Sequence, residues 1–520
     1  MKTPSVQALK ASLSLSAALA LGTVGLMSGM AAAQADTPAI AASDAAATSE
    51  QAARLNIERI QTLDDAGPEL NTVIAYNPEA PSIAQALADT GILRGRTILV
   101  KDNIETKEFA TTAGSLALKN NFTRRDAPLI ANMRAAGGVV LGKANLSEWA
   151  NIRSNDSTSG WSAVGGLTRN PHAIDRNSCG SSSGSGSAVA AGFAWGAIGT
   201  ETNGSITCPA SINGVVGFKP SVGIVSRTHV VPISSTQDTA GPMTRTVYDA
   251  ALLLTAIAGE DPADSATVEA VRVSDYTSEL TDYSLEGVRI GVMREQIGSN
   301  AQVAAVFERA LDDLKAAGAV LVDIEFELNT DVFGNSFTVL MYELREEMGS
   351  YLSSIPEIEG AKTPRSLADL IAFNTANADM ELRWFDQGLF ELAEETTDRE
   401  AYEKAREIAL RIAGAETLDM LFAEHNVTIL VSPTRGPAWM SDLVLGDQFN
   451  GSIGFGSPAA IAGYPHLTVP MGAVERLPVG ISFFGEKWTD HEVLKVGAAY
   501  ERARSADLPQ PSFERWSPAG

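Results

Sequence analysis

A chain of 520 residues, 45% of them hydrophobic, with 39 Lys and Arg against 63 Asp and Glu for a formal charge of -24, can bury a large core and repels polyanions. That balance excludes nucleic acid and anionic membrane surfaces as electrostatically steered partners and leaves a neutral or cationic small substrate easiest to admit. The two cysteines, Cys179 and Cys208, are too few for a disulfide framework.

Residues 1–35 read as a secretory signal: Lys2 and Lys10 give a basic start, Ala11 to Met30 an apolar run, and Ala33-Gln34-Ala35 an A-x-A cleavage site. An uncleaved anchor is the alternative, which the small-residue exit opposes. Cleavage before Asp36 removes two lysines and no acid, taking the charge from -24 to -26. Asp36 to Thr48 is rich in Ala, Ser and Asp without a period, a flexible lead-in. From Ser49, SEQAARLNIERIQTL has the spacing of a packed helix.

In RGRTILVKDNI, Thr97 to Val100 reads as a short buried strand closed by Lys101. Such a lysine either snorkels from the strand end or is held indoors, where desolvation lowers its pKa and makes it a base. Ala127 to Lys143 predicts a helix, a Gly-Gly stop and a strand. A polar stretch, Asn145 to Asn177, leads into the Ser/Gly-rich run that begins at Cys179. Ala188 to Ala197 predicts a helix, Val215–Phe218 and Val230–Ile233 short strands, and Val247 to Gly259 an apolar helix. Leu285 to Ile324 reads as strand, helix (Val303 to Ala317) and strand, a crossover unit. Residues 331–425 carry mostly helical pattern, with Phe333, Phe337, Trp384 and Phe385 among charged residues. Strands resume at Val427–Val431, Leu467–Val469 and Val479–Phe484. With no repeat and no linker after residue 48, the chain is one large α/β domain over 49–520.

By composition CGSSSGSGS is a flexible linker. The apolar Ala188-Val189-Ala190-Ala191 clamps its far end, however, and a glycine-rich turn embedded in apolar structure brings backbone N–H groups close to a ligand. Gly180 to Gly184 also matches the G-x-S-x-G nucleophile elbow, which would make Ser182 the nucleophile. That motif needs a strand before it and a histidine after it. Asn170 to Asn177 is turn-like, and nothing singles out His229, His425, His466 or His491. A neutral lysine is the other base that activates a serine. Cys179 and Cys208 form either one bridge across this run or two small buried thiols; spacing leaves both open.

The segments VKDNI (100–104), TTAGS (111–115), GSSSGSGSAVAAG (180–192), GTETNGS (199–205), PASINGVVGFKPSVG (209–223), QDTAGPM (237–243), AGYPHLTVP and LPVGISFFG, in this order over about Arg94 to Gly485, resemble the amidase signature family. The resemblance implies a central mixed β-sheet covered by helices and a Ser-cisSer-Lys triad: Ser205 as nucleophile, Ser181 as relay after a cis peptide bond, and Lys101 as base. It implies an oxyanion hole from the backbone N–H groups of Thr202, Asn203, Gly204 and Ser205, and neither cofactor nor metal. To serve, Lys101 must fall from about 10.4 to about 7, roughly 4 kcal/mol of differential stabilisation. Cys179 and Ser183 stand where the family usually has glycine, and Asn203 replaces the first glycine of Gly-Gly-Ser. Asn best tolerates a left-handed backbone there.

The chain looks most like the peptide-amidase branch, which hydrolyses C-terminal peptide amides; together with the signal at 1–35 this reads as an exported amidase, periplasmic or secreted, acting on peptide, aryl or alkyl amides. The alternatives are an ester or carbamate hydrolase with the same triad, the glutaminase subunit of an amidotransferase, and an inactive exported solute-binding protein. The expected partner is a small-molecule or peptide amide, with no nucleic acid, no membrane after signal cleavage, and a monomer or homodimer. The segment at about 331–440, with Phe333, Phe337, Trp384, Phe385 and Trp439, is expected to shape the acyl pocket and favour a bulky or aromatic substrate, against the alternative that these rings only fill the core.

Overall fold

The computed structural model describes residues 47–357 and 362–518. The expected signal, 1–35, and all but the last two residues of the lead-in lie outside the described residues.

Apolar runs with β-branched and small residues give β1 (Val73–Tyr76), β2 (Thr97–Lys101), β3 (Val139–Ala144), β4 (Gly196–Glu201), β5 (Val216–Lys219), β6 (Thr239–Thr244), β7 (Arg289–Met293), β8 (Val320–Ile324), β9 (Ile429–Pro433), β10 (His466–Val474) and β11 (Leu477–Phe484). They form one 11-stranded mixed sheet in the order β1-β3-β2-β4-β6-β5-β10-β11-β9-β7-β8. β2 runs parallel to β3 and β4, and β7 parallel to β8 and β9. The strands between these two groups pair antiparallel.

Helices cover both faces. Ile98 and Val100 of β2 join a core with Leu129 and Ile130 of α1 (Pro128–Ala135), Leu253 of α2 (Val247–Ile257), Phe307 of α3 (Ala301–Ala316) and Val493 of α4 (Asp490–Ala503). Leu99, between them, points to the other face, against Ala188 and Val189. Side chains alternate along a strand, so Lys101 projects from the same face as Leu99, toward the Ser/Gly-rich segment.

That segment differs from its prediction. It is a helix from Ser183 to Ala190, and Gly196 to Glu201 is strand β4, where the sequence predicted one helix over Ala188 to Ala197. The cause is tertiary. A Cβ on Gly184 would lie 2.3 Å from Thr72 O and 2.6 Å from Asn145 O, so glycine lets this helix sit directly on neighbouring backbone. Val230–Ile233 forms no strand; Val230 makes one isolated bridge to Ile104. Ala173–Asn177, read as turn-like, pairs with Arg169–Asn170 in a separate two-stranded ribbon. The crossover strands, the helix from Ser49 and the helical stretch after 331 form within a few residues of their expected positions. No helix among the described residues is long and apolar enough to cross a membrane.

Candidate active site

Lys101 closes β2 with no exposed surface. Its Nζ lies 2.8 Å from Ser181 Oγ, 2.8 Å from Thr200 Oγ1 and 3.1 Å from Thr200 O. Burial pushes this amine down to about 7, against the opposing fields of Asp238 and Glu201. Lys143 and Lys219 are also buried. Lys143 is ion-paired with Asp102 at 3.1 Å and donates to Ile104 O at 2.6 Å. Lys219 donates to Pro220 O at 3.3 Å. Among the three, Lys101 is the one that meets a serine of the Ser/Gly run.

The peptide bond between Gly180 and Ser181 is cis. Ser181 O accepts from Ser147 N at 3.0 Å, and Ser182 N donates to Ser205 O at 3.1 Å, which ties the two serine-bearing segments together. Ser182 itself is committed elsewhere: its hydroxyl donates to Thr200 O at 3.0 Å and accepts from Thr200 N at 3.2 Å. The elbow reading fails here on the histidines too, despite the strand at 173–177. His466 pairs with Ser482 Oγ at 2.7 Å and His491 with Ser278 O at 2.8 Å, while His229 lines an adjoining cavity that Ser205 does not.

Ser205 is 9% exposed and lines a cavity of about 240 Å³ with Thr202, Asn203, Gly204 and Gly180. Gly204 holds φ +83, a left-handed backbone suited to glycine. Glu201 Oε2 accepts from Ile206 N at 2.7 Å and Thr207 N at 3.0 Å at the start of α5, the short helix Thr207–Ile212. The preceding amides of Asn203, Gly204 and Ser205 have no acceptor among the described residues. Three open N–H groups beside a serine in a concave wall can take up a developing negative charge.

Asp238 braces this loop. Thr202 Oγ1 donates to its Oδ1 at 2.5 Å, and Ile233 N and Ser234 N donate to Oδ2 at 2.7 and 2.9 Å. Gln237 Nε2 donates to Thr202 O at 3.3 Å, and Asn103 Nδ2 to Thr200 Oγ1 at 3.0 Å. Sequence reasoning assigned no role to Asn103, Thr200, Glu201 or Asp238, although each lies inside one of the motif segments. A larger cavity of about 400 Å³ shares Ala150, Thr202 and Ile233 with the first and adds His229 and Asp238. It holds no serine of the Ser/Gly run, whereas the smaller cavity holds Ser205.

Cys179 and Cys208 are joined in a disulfide with Cα atoms 6.0 Å apart, and both line the Ser205 cavity. The expectation about aromatics is corrected. Trp439 lines the cavity, but Phe333, Phe337, Trp384 and Phe385 do not. Phe333 and Phe337 are exposed, and Phe385 packs on Arg153 and Trp161. Phe449, Arg435, Asp447 and Leu340 line it instead. They come together only through long-range packing, and no local pattern marks them.

The family model described as Amidase matches residues 54–494. A probable amidase of Arabidopsis thaliana is 36% identical over 90% of this chain and 88% of its own length. A component of the glutamyl-tRNA(Gln) amidotransferase of Myxococcus xanthus is 32% identical over 88% of this chain and 94% of its own. The crystal structure of the native peptide amidase from Stenotrophomonas maltophilia superposes with a TM-score of 0.84 at 45% identity, covering 90% of this chain and 96% of that one. A structure of the peptide amidase PAM in complex with the competitive inhibitor chymostatin superposes with a TM-score of 0.85 at 46% identity, covering 89% and 96%.

Proposed function

The chain belongs to the amidase family, hydrolases that act on amide bonds, and on that premise we propose that it cleaves a carboxamide C–N bond through an acyl-enzyme on Ser205. The observation that carries the mechanism is the Lys101 amine against Ser181 Oγ. A neutral amine has two N–H groups and one lone pair. The two N–H groups donate to Thr200 O and Oγ1, and the lone pair is left to accept from the Ser181 hydroxyl.

Lys101 takes the Ser181 proton as Ser181 takes that of Ser205, and Ser205 Oγ attacks the carbonyl carbon. The oxyanion is received by the open amides of the 202–205 segment, whose donors contribute about 3 to 4 kcal/mol each where comparable groups have been removed. As the tetrahedral species collapses, Ser181 protonates the departing ammonia or amine and recovers its proton from Lys101. Water then enters by the same relay and releases the acid. Net, one proton of the water has passed through the relay to the departing ammonia or amine, both serines recover their hydroxyl protons, and Lys101 ends neutral.

The substrate class is a small-molecule or peptide amide, with the C-terminal amide of a peptide favoured. The identity of 45% to a peptide amidase, against 32% to an amidotransferase component, supports free hydrolysis over ammonia delivery. The same reading has residues 1–35 directing export to the periplasm or medium. The Cys179–Cys208 bridge supports this, since such bonds persist in oxidising compartments.

The test is to mix the purified protein with an N-acyl dipeptide amide, quench early and analyse it by mass spectrometry. The expected result is an acyl adduct on Ser205 and ammonia release equal to acid formed. An adduct on Ser182, or turnover undiminished in Ser205→Ala, would overturn the mechanism. N-terminal sequencing of exported protein checks the start at Asp36.

A further inference from the structure

Hydrolysis as proposed leaves both charged groups of the substrate cavity, Arg435 and Asp447, unused. Arg435 stands two residues after the end of β9 and lines the cavity with Ser205. Its guanidinium lies over the Phe449 ring, 4.7 Å from the centroid, and Phe449 rests on Trp439 with centroids 5.5 Å apart. The stack holds the side chain by its face and leaves its N–H edge for other partners. Among the described residues no carboxylate lies within 4.0 Å of it and none of its N–H groups has an acceptor.

A guanidinium keeps its charge, and although the fields of Glu201 and Asp447 favour it, neither carboxylate is in contact, so a partly desolvated guanidinium without a direct partner costs stability that a purely structural role does not recover. The opposite charge in the same wall, Asp447, acts on Arg435 through its field but spends its hydrogen bonds elsewhere. It accepts from Ser159 N at 3.1 Å, Asn177 Nδ2 at 3.3 Å and Trp439 Nε1 at 3.2 Å. The position is informative too. A Cβ built on Gly204 would lie 3.6 Å from Arg435 Nη2, so the donors stand one residue from Ser205, beside the amides that face the scissile carbonyl. Ile152, Ile233 and Leu340 give the same cavity an apolar side that offers an anion nothing.

We propose that Arg435 binds a carboxylate on the acyl group of the substrate, so that this enzyme prefers carboxamides with an anion close to the scissile carbonyl, such as the α-amide of an acidic amino acid. The assignment rests on the amide-hydrolysis reading, in which the leaving group is a small amine and the recognised substituents lie on the acyl side. The chain's charge of -24 does not oppose it at contact range. At physiological ionic strength charges beyond about 8 Å are largely screened, and a fork of N–H groups meets both carboxylate oxygens directly.

The test compares N-acetyl-glutamic acid α-amide with the size-matched N-acetyl-methionine amide in the wild type, Arg435→Met and Arg435→Lys. The wild type is expected to favour the glutamyl amide in kcat/KM by at least about 30-fold, mostly through KM, the scale expected of a desolvated charge pair. Arg435→Met should lose that ratio and Arg435→Lys should restore part of it, whatever the absolute rates. An unchanged ratio in Arg435→Met, or a wild type that prefers the methionyl amide, overturns the proposal. Should Arg435→Met fail to fold, the wild-type ratio and its reduction in Arg435→Lys decide the question alone. A wild type that cleaves neither amide, nor any peptide amide, counts instead against the hydrolysis reading.

Discussion

Of the two carboxylates whose fields act on the Lys101 amine, Asp238 acts more strongly than Glu201. Both favour the charged form, and burial overrides them to bring the amine to about 7. A base must be neutral, so kcat/KM for amide hydrolysis should rise with pH along an acid limb centred near 7. A limb below 5 or a flat profile from pH 6 to 9 would remove Lys101 from the base's role.

Asp238→Asn takes away the stronger of those fields, so Lys101 should lose its proton more readily and the acid limb should move to lower pH. The amide oxygen can keep the bonds from Ile233 N and Ser234 N, which leaves the NH2 facing Thr202 Oγ1, now a donor to the carboxylate. Loss of that charge-assisted bond should lower stability by about 1 to 3 kcal/mol and reduce kcat by loosening Thr202. The limb position is the discriminating readout, because loosening alone does not move it.

Lys101 also links stability to pH. Its folded-state value lies below its ordinary 10.5, so between about 7 and 10.5 the unfolded chain holds a proton that the folded chain lacks. Stability contributed by this site therefore rises with pH through that window. Thermal unfolding of Lys101→Met should show its melting temperature highest relative to wild type at pH 6, with the difference shrinking toward pH 9. A difference independent of pH would mean the amine is not desolvated in the folded state.

The parts of this site legible in the sequence are those where a residue contradicts its surroundings. Lys101 ends an apolar strand, and the Ser/Gly run is clamped by apolar residues, so both stand out against local composition. The helix at 183–190 did not, because Gly and Ser argue for a loop and its stability comes from packing on Thr72 and Asn145. The run Val230–Ile233 has strand composition but finds one bridging partner, Ile104, which no local pattern discloses. Arg435 and Asp447 reach Ser205 across more than two hundred residues, and of the aromatics expected from the 331–440 segment only Trp439 lines the cavity. The β9-to-β10 connection, carrying Phe449 and Asp447, places the wall, and only the assembled sheet order shows that it does.

Asp102 and Lys143 form an ion pair at 3.1 Å beside Lys101, both with almost no exposed surface. Asp102 Oδ2 also accepts from Thr112 N at 3.1 Å, so the carboxylate anchors the turn after β2. Asp102→Asn leaves the Lys143 amine without its counter-charge and should cost about 3 to 5 kcal/mol. The double variant Asp102→Asn/Lys143→Met should be more stable than Asp102→Asn alone. Urea unfolding of the two single variants and the double one measures the coupling, and simple additivity would show that the pair does not act as one.

The disulfide bears on both stability and rate. Cys179 lies two residues before Ser181 and Cys208 three after Ser205, with a sequence separation of 29. The loop it closes therefore contains the proposed relay serine, the proposed nucleophile and the amides between them. Breaking it frees the unfolded chain to explore more conformations, which for a loop of this size lowers stability by about 3.6 kcal/mol. The folded state loses a link between two segments otherwise held by the Ser182 N to Ser205 O bond at 3.1 Å and by packing. A misplacement of about 1 Å between reacting groups can cost on the order of a hundredfold in rate, so reduction should lower kcat as well as the melting temperature. Cys179→Ser/Cys208→Ser should reproduce both effects and make the protein indifferent to dithiothreitol. Wild-type protein that keeps its kcat after a thiol titration shows two free cysteines would mean that Ser147, Thr200 and the glycine-packed helix hold the serines in place without the bridge.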